Sequence, residues 1–364
     1  MRGGALMLAL CCTAAAQTQI ERVKAKIAEA IARQSECICT QTIERVYDLS
    51  RGCDAKLSAK DSWDRLQLDV ALRDGVEVYS FPGENEFDPG RLAEVSAENS
   101  AGTFGRLLVE IFQMQQPEIV RLGETLESGR RRLQFSFTLP QASVKRASTP
   151  YAGTVLVDAE SFDLVRVVMR APRSPGSACG DITTIDYAGN LPMRAQRRVQ
   201  GPGVPRIDID TVFSECRKLP ALTSKTDEQQ LPIGGVQRGV VPLTIPPRLR
   251  FMVEFDEDID TRSAAAGQAI RGQAWPIIDK DGKQLVPAGA AVVARIMRIR
   301  HLNSDAVVLV VRLETIEVGG NVQPLFARPY GRSELGAALI RLPSQKGPHL
   351  IEKGSLSEWL TDDH

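Results

Sequence analysis

Aromatic side chains are scarce in this chain, at 5% of its 364 residues, and histidine is scarcer, with only His301, His349 and His364. Three histidines, and no second cysteine pair at zinc spacing, argue against a metal site. No metal and no other cofactor is expected. Net charge is missing too: 45 Lys and Arg balance 45 Asp and Glu, and removing Arg2 with the N-terminal segment leaves 44 against 45. Such a chain has no field to draw nucleic acid or an anionic membrane, so no nucleic-acid partner is expected. After the first residues, no stretch approaches the roughly 18 apolar residues that a spanning helix needs. The usual catalytic signatures are absent: there is no G-x-S-x-G, no G-x-x-x-x-G-K-[ST], no H-E-x-x-H and no G-x-G-x-x-G. The chain therefore does not read as an enzyme.

What is present begins with an address. Arg2 opens a short charged region, Ala5–Cys12 is apolar but too short to span a bilayer, and Ala14-Ala15-Ala16 is a small-residue cleavage signal. Residues 1–16 read as a secretory signal peptide cut before Gln17, which places the mature chain in the periplasm or outside the cell. Leu10 stands where a lipoprotein signal needs a small residue before Cys11, which argues against lipid attachment. Five cysteines then remain, Cys37, Cys39, Cys53, Cys179 and Cys216, and an odd count in an oxidising compartment leaves at least one thiol free or paired between chains. Cys39 and Cys53 flank a polar loop between two strand-like runs. Closing a loop of about 15 residues stabilises by roughly 3 kcal/mol, so this pair is the expected disulfide. Cys37 competes for it, because a period of two puts Cys37 and Cys39 on one strand face. The pairing of Cys37, Cys179 and Cys216 stays open.

With 29 Gly and 21 Pro, the chain suits a turn-rich β protein. Gln19–Gln34 reads as a helix, because Ile20, Val23, Ile27, Ala30 and Ile31 recur at helical spacing. A strand follows at Ile38–Val46. Leu66, Leu68, Val70 and Leu72 alternate with polar residues, Asp74-Gly75 turns the chain, and Val76–Phe81 returns. Asp88-Pro89 starts a short helix to Val95. Thr103 caps another, with Phe104, Leu107, Leu108, Ile111 and Phe112 on one stripe. From Val120 to Phe213 the pattern is an antiparallel meander in which Leu133, Phe135, Phe137 and Leu139 share one face.

Residues 219–240, rich in Pro, Gly, Gln and Thr, read as a linker. Beyond it, Leu249, Phe251, Val253 and Phe255 alternate, as do Val307, Leu309, Val311 and Leu313. The next apolar pair, Ile316 and Val318, is out of phase, which predicts a β-bulge near Glu314–Thr315. Asp281-Gly282 is a hairpin turn. The tail, 330–364, holds Ala337–Leu342 and Leu350–Ile351, which can add edge strands. The expected fold is mainly β (α+β): residues 17–218 as an antiparallel half-barrel with short helices, then a small β-barrel at 241–329.

Two families resemble these regions. The helix before the strand carrying Thr40-Gln41-Thr42, the helix at Thr103–Phe112 and the turn Val157-Asp158-Ala-Glu-Ser-Phe-Asp163-Leu164 resemble the LolA/LolB class of periplasmic half-barrels. That resemblance implies a curved sheet wrapped over helices, with an apolar hollow for acyl chains or a partner segment. Leu243–Pro247, Ile259-Asp260-Thr261, Ala266-Gly267-Gln268, Leu285–Gly289 and Val292–Arg300 resemble the TrbI-like β-barrel domain of type IV secretion and conjugation machines. No long membrane-proximal helix precedes it and no apolar helix pair could line a pore, so the resemblance implies a barrel rather than a channel. The whole chain also resembles secreted bacterial proteins with no assigned activity.

Other candidates read as structure. His301, beside Arg298 and Arg300, reads as a solvated surface histidine. Cys179 lies in a turn and reads as structural. Asp256–Asp260 is an ordinary acidic strand end, and Asp279-Lys-Asp281-Gly282 lacks the later glycine and glutamate of a calcium loop. The candidate ligand face comprises Leu66, Leu68, Val70, Leu72, Phe104, Leu108, Phe112, Leu133, Phe135 and Phe137, whose default role is core. The reading is an exported, non-catalytic envelope protein binding an apolar ligand, either a lipid or lipoprotein acyl chain, or a partner segment. A structural or docking subunit contacting envelope proteins is the rival, and a hydrolase comes third.

Overall fold

The computed structural model describes residues 4–48, 62–139, 152–171, 180–200, 206–219, 245–302, 306–330, 337–341 and 350–362; of 4–16, 48, 306 and 337–341 it describes the backbone alone. The chain divides into two compact units. The first is Met1–Ser58, Leu68–Ala93 and Ala97–Leu219; the second is Ala59–Gln67, Glu94–Ser96 and Pro220–His364.

The first unit opens with helix α1 (Gly4–Ser35), whose second half is the stretch expected to be helical. Its apolar stripe, Val23, Ile27, Ala30 and Ile31, is buried. Lys24 with Glu21 (3.0 Å) and Lys26 with Glu29 (2.9 Å) form i,i+3 pairs, and Lys26 also reaches Asp163 just before β7 (3.0 Å). The strands β1 (Cys37–Asp48), β2 (Ser62–Arg73), β3 (Val76–Ser80), β4 (Glu118–Glu127), β5 (Arg130–Thr138), β6 (Ala152–Asp158), β7 (Leu164–Arg170), β8 (Ile182–Ala188), β9 (Leu191–Val199) and β10 (Arg206–Lys218) follow the expected meander. They join in the order β3-β2-β1-β10-β9-β8-β7-β6-β5-β4. Helix α1 lies on this sheet, touching β1, β4, β7 and β9. The turn after β6 is tied by Asp158, whose Oδ1 accepts from the N–H groups of Glu160 (3.0 Å) and Ser161 (3.1 Å). Those two backbone bonds, helped by Arg132, hold its carboxyl below the usual value.

Two expectations are corrected in this unit. Cys39 is bonded to Cys216, not to Cys53, which lies outside the described residues. The reason is register. In the β1–β10 pair Ile38 faces Arg217 and Thr40 faces Ser214, so β10 carries an extra residue and Cys39 meets Cys216 at a Cα separation of 4.0 Å. Loop length measures chain entropy and is blind to which strand the sheet order brings alongside. The second correction concerns the helix expected from Thr103. Residues 101–105 form turns, α2 (Arg91–Glu94) ends well before them, and α3 begins only at Arg106 (Arg106–Leu108), with Gly105 rather than Thr103 in the cap position. It passes directly into a π-helical turn, Val109–Met114.

The second unit is built from β11 (Arg250–Phe255), β12 (Ile259–Asp260), β13 (Ala269–Ala274), β14 (Ile277–Ile278), β15 (Gln284–Val286), β16 (Ala290–Leu302), β17 (Ala306–Val318), β18 (Asn321–Pro324), β19 (Ala327–Pro329), β20 (Ala337–Arg341), β21 (Leu350–Ile351) and β22 (Leu356–Thr361). Pairings run from β19 to β22, β11, β13, β16 and β17, and β17 pairs with both β18 and β20. Phe251, Val253, Phe255, Ile270, Ile296 and Trp359 are among its buried core. The bulge lies where the phase slip placed it: Val293 faces Thr315 and Ala294 faces Leu313, leaving Glu314 as the extra residue. Asp279 closes the hairpin between β14 and β15 by accepting from the N–H groups of Asp281 (2.9 Å) and Lys283 (2.8 Å).

In the tail, the stretches at Ala337–Leu342 and Leu350–Ile351 contain β20 beside β17 and β21 beside β12. A further strand, β22, sits between β11 and β19, with Trp359 and Thr361 buried. His301 is not a surface residue. It is buried, stacked on Trp63 at 3.8 Å and 4°, and its Nε2 donates to the Thr261 carbonyl at 2.8 Å. Pairing of His301 with Trp63 across β16 and the first half of β2 brings the two rings together, with His301 buried and Trp63 half-buried. No local pattern announces that contact.

Candidate functional site

Most of the candidate face is buried. Leu68, Val70, Leu72, Phe104, Leu108, Leu133, Phe135 and Phe137 are all buried in the first unit, and Phe112 is half-buried. Leu66, also buried, counts with the second unit. Rather than lining an open hollow, the eight buried residues are packed core. The apolar stripe of α1 lies over this sheet, where sequence reasoning had weighed only the short helix at 103–112. Packing here is tight. A methyl at Gly153 would lie 2.2 Å from the Val168 carbonyl oxygen and 2.4 Å from the ring of Phe137.

What stays open is the margin of that core. Between α1 and the π-helical turn lies a cleft of about 340 Å³. Ile27, Ala28 and Ile31 of α1 form one wall. Phe112 and Gln113 form the other, and Pro117 and Ile119 close it toward β4. Lys24 and Gln116 add polar groups. Phe112 packs edge-on against Phe137 with ring centroids 5.1 Å apart, which joins the cleft to the core beneath. The chain leaves the π-helical turn through Gln116, which has a φ of 44°, an unusual backbone for a non-glycine residue. Beside the cleft, Met114 and, on β4, Val120, Leu122 and Leu126 are exposed.

The start of the Phe112 wall is held by a carboxylate that the sequence does not single out. Glu77, buried on β3, accepts at Oε1 from the N–H groups of Phe104 (2.8 Å), Gly105 (2.9 Å) and Arg106 (3.2 Å). Its Oε2 accepts from the N–H of Gly102 (2.6 Å) and from the Tyr79 hydroxyl (2.5 Å). Burial pushes the Tyr79 phenol well above its usual value, and the neighbouring Glu77 charge adds to that. Tyr187, buried nearby with its hydroxyl lacking a hydrogen-bond partner, is raised first by burial and then by the Glu77 charge.

Among the described residues no group of three or more His, Cys, Asp and Glu is placed to hold a metal ion. The acidic strand end is spent on local bonds: Glu257 accepts from the Arg271 N–H, Asp258 from the Lys353 N–H, and Asp260 from Arg262. Cys179 lies outside the described residues. A second, shallower depression of about 470 Å³ crosses β1, β8, β9 and β10, where Arg198 and Asp208 pair with each other at 2.8 Å.

No family model and no curated protein matches the chain. It is similar to the solved structure of a DUF1329 family protein from Desulfovibrio piger, 8% identical, covering 56% of this chain and 94% of that chain, with a TM-score of 0.31. It is similar also to a LolA superfamily protein from Nitrosomonas europaea, 11% identical over 55% and 94% of the two chains, TM-score 0.30. A third likeness is to the lipoprotein LppX from Mycobacterium tuberculosis, 11% identical over 56% and 99%, TM-score 0.22.

Proposed function

We propose that the protein is an exported, non-catalytic binding protein of the cell envelope, and that the first unit holds the apolar part of a lipid or lipoprotein acyl chain in the cleft between α1 and the π-helical turn. The observation that carries this reading is Phe112. It is half-buried where the rest of the face is buried, and it joins an open cleft with an apolar α1 wall to the core. At about 340 Å³ the cleft lies at the low end of the roughly 300–1,000 Å³ of small-molecule sites, which suits one alkyl chain better than a diacyl lipid. Burying ten methylenes gains roughly 8 kcal/mol before ordering costs, which leaves micromolar affinity at best. Periplasmic or extracellular residence fits the N-terminal signal and the Cys39–Cys216 disulfide. The second unit is read as a small β-barrel, in keeping with the run of pairings β19-β22-β11-β13-β16-β17.

Displacement of a fluorescent fatty acid from the mature chain 17–364 tests the binding. Wild type should bind in the micromolar range, and Phe112→Asp, compared at a temperature where both proteins are folded, should bind at least about tenfold more weakly. Equal binding by both proteins would remove the cleft as the site. The second reading, a docking subunit contacting other envelope proteins, is favoured by the exposed Val120, Leu122 and Leu126 on β4 and by Trp275 and Phe326 in the second unit. Absence of any probe binding by wild type would put that reading ahead.

A further inference from the structure

We propose that Glu77 is the positioning residue of this cleft: its carboxylate fixes where the wall Gly102–Met114 stands, and so how wide a chain the cleft accepts. The inference rests on the cleft being the binding site. A buried carboxylate is costly unless its oxygens are occupied by donors. Here all five partners are neutral, four backbone N–H groups and one phenol. They converge from the turn that leads into α3 and from its first residue, Arg106, and the carboxylate satisfies backbone N–H groups that burial would otherwise leave without partners. Glu77 therefore does for this segment what a local cap does elsewhere, but from a strand 25 to 29 residues earlier.

The remainder of the segment shows why this anchor controls the cleft. At Gly105 the backbone lies against α1 and β2 so closely that a methyl would sit 2.7 Å from Gln34 Oε1 and 2.8 Å from Leu72 Cδ2. The anchored end is thus set directly against the helix that forms the opposite wall. From there the chain runs through α3 and the π-helical turn to Phe112 and Gln113, which line the cleft. Thr103 and the rest of the segment provide no side-chain cap of their own. Fixing one end against α1 fixes the spacing of the two walls.

The test uses the mature chain with Glu77→Gln and Tyr79→Phe. The glutamine is of equal size, but its amide nitrogen brings donors to face donors, so part of the cradle is lost. Amide hydrogen exchange should rise by about tenfold or more across 102–114 in Glu77→Gln, with β7–β9 unchanged, and by less in Tyr79→Phe. In the same variant, displacement assays with unbranched and branched fatty acids should show weaker binding of the unbranched chain and a relative gain for the branched one. Exchange rising equally over the whole first unit would make Glu77 an ordinary stability residue and overturn the proposal. So would unchanged exchange at 102–114, or an unchanged chain preference. If wild type binds no fatty acid, the binding reading fails, while the exchange pattern still decides whether Glu77 holds the wall.

Discussion

Arg295 and Glu314 form a two-pronged ion pair across β16 and β17, with Nε donating to Oε1 at 2.7 Å and Nη2 to Oε2 at 2.8 Å. Arg295 is buried, and its Nη1 donates to the Gly267 carbonyl at 2.7 Å. Glu314 is the bulge residue, so the same irregularity that shifts the strand's phase places its carboxylate on the guanidinium. Removing one partner of such a pair leaves the other buried and uncompensated. Glu314→Gln should therefore lower stability by about 3 kcal/mol, read as a lower urea midpoint at neutral pH.

The same pair sets a pH dependence. Burial pushes the Glu314 carboxyl up, but the hydrogen bonds and charges of Arg295 and Arg312 outweigh burial and leave it below its usual 4.5. A folded value below the unfolded one means that the carboxylate's contribution is present above about pH 4.5 and is lost as pH falls through the lower folded value. The difference between wild type and Glu314→Gln should hold from pH 7 to about 5 and shrink below 4. A constant difference down to pH 3 would contradict the ion pair.

Peptide mapping under non-reducing conditions should recover Cys39 linked to Cys216, with Cys37 as a free, buried thiol. The bond spans 177 positions, for which the chain-entropy limit is about 5 kcal/mol. The double variant Cys39→Ala, Cys216→Ala should lose roughly 3–5 kcal/mol of stability.

Gly153→Ala should destabilise by about 2–3 kcal/mol, because the new methyl meets the Val168 carbonyl oxygen and the fully buried Phe137 ring, and neither can withdraw. Chemical denaturation should show a lower midpoint with an unchanged slope. Replacing Phe137 with leucine in the same chain should recover part of the loss.

Export should yield a chain beginning at Gln17, as read by N-terminal sequencing of periplasmic or secreted material. The segment that packs against the sheet, from Val23 onward, is then retained. An intact Met1 in a cytosolic fraction would end this expectation.

The elements were legible because they obey local rules. Alternation placed β5 and β11, the helical stripe placed the second half of α1, Asp281-Gly282 placed the β14–β15 hairpin, and the slip after Leu313 placed the bulge at Glu314. Each signal is carried by residues within a few positions of one another. Only the tertiary structure decided the partners. Cys216 lies beside Cys39 through strand order, His301 stacks on Trp63 through a pairing between distant strands, and Glu77 caps a helix from another strand. The site shows the same division. The apolar residues of the face could be read from their period, but whether they are open or covered depends on where α1 lies, and that is settled by packing between elements, which no local period records.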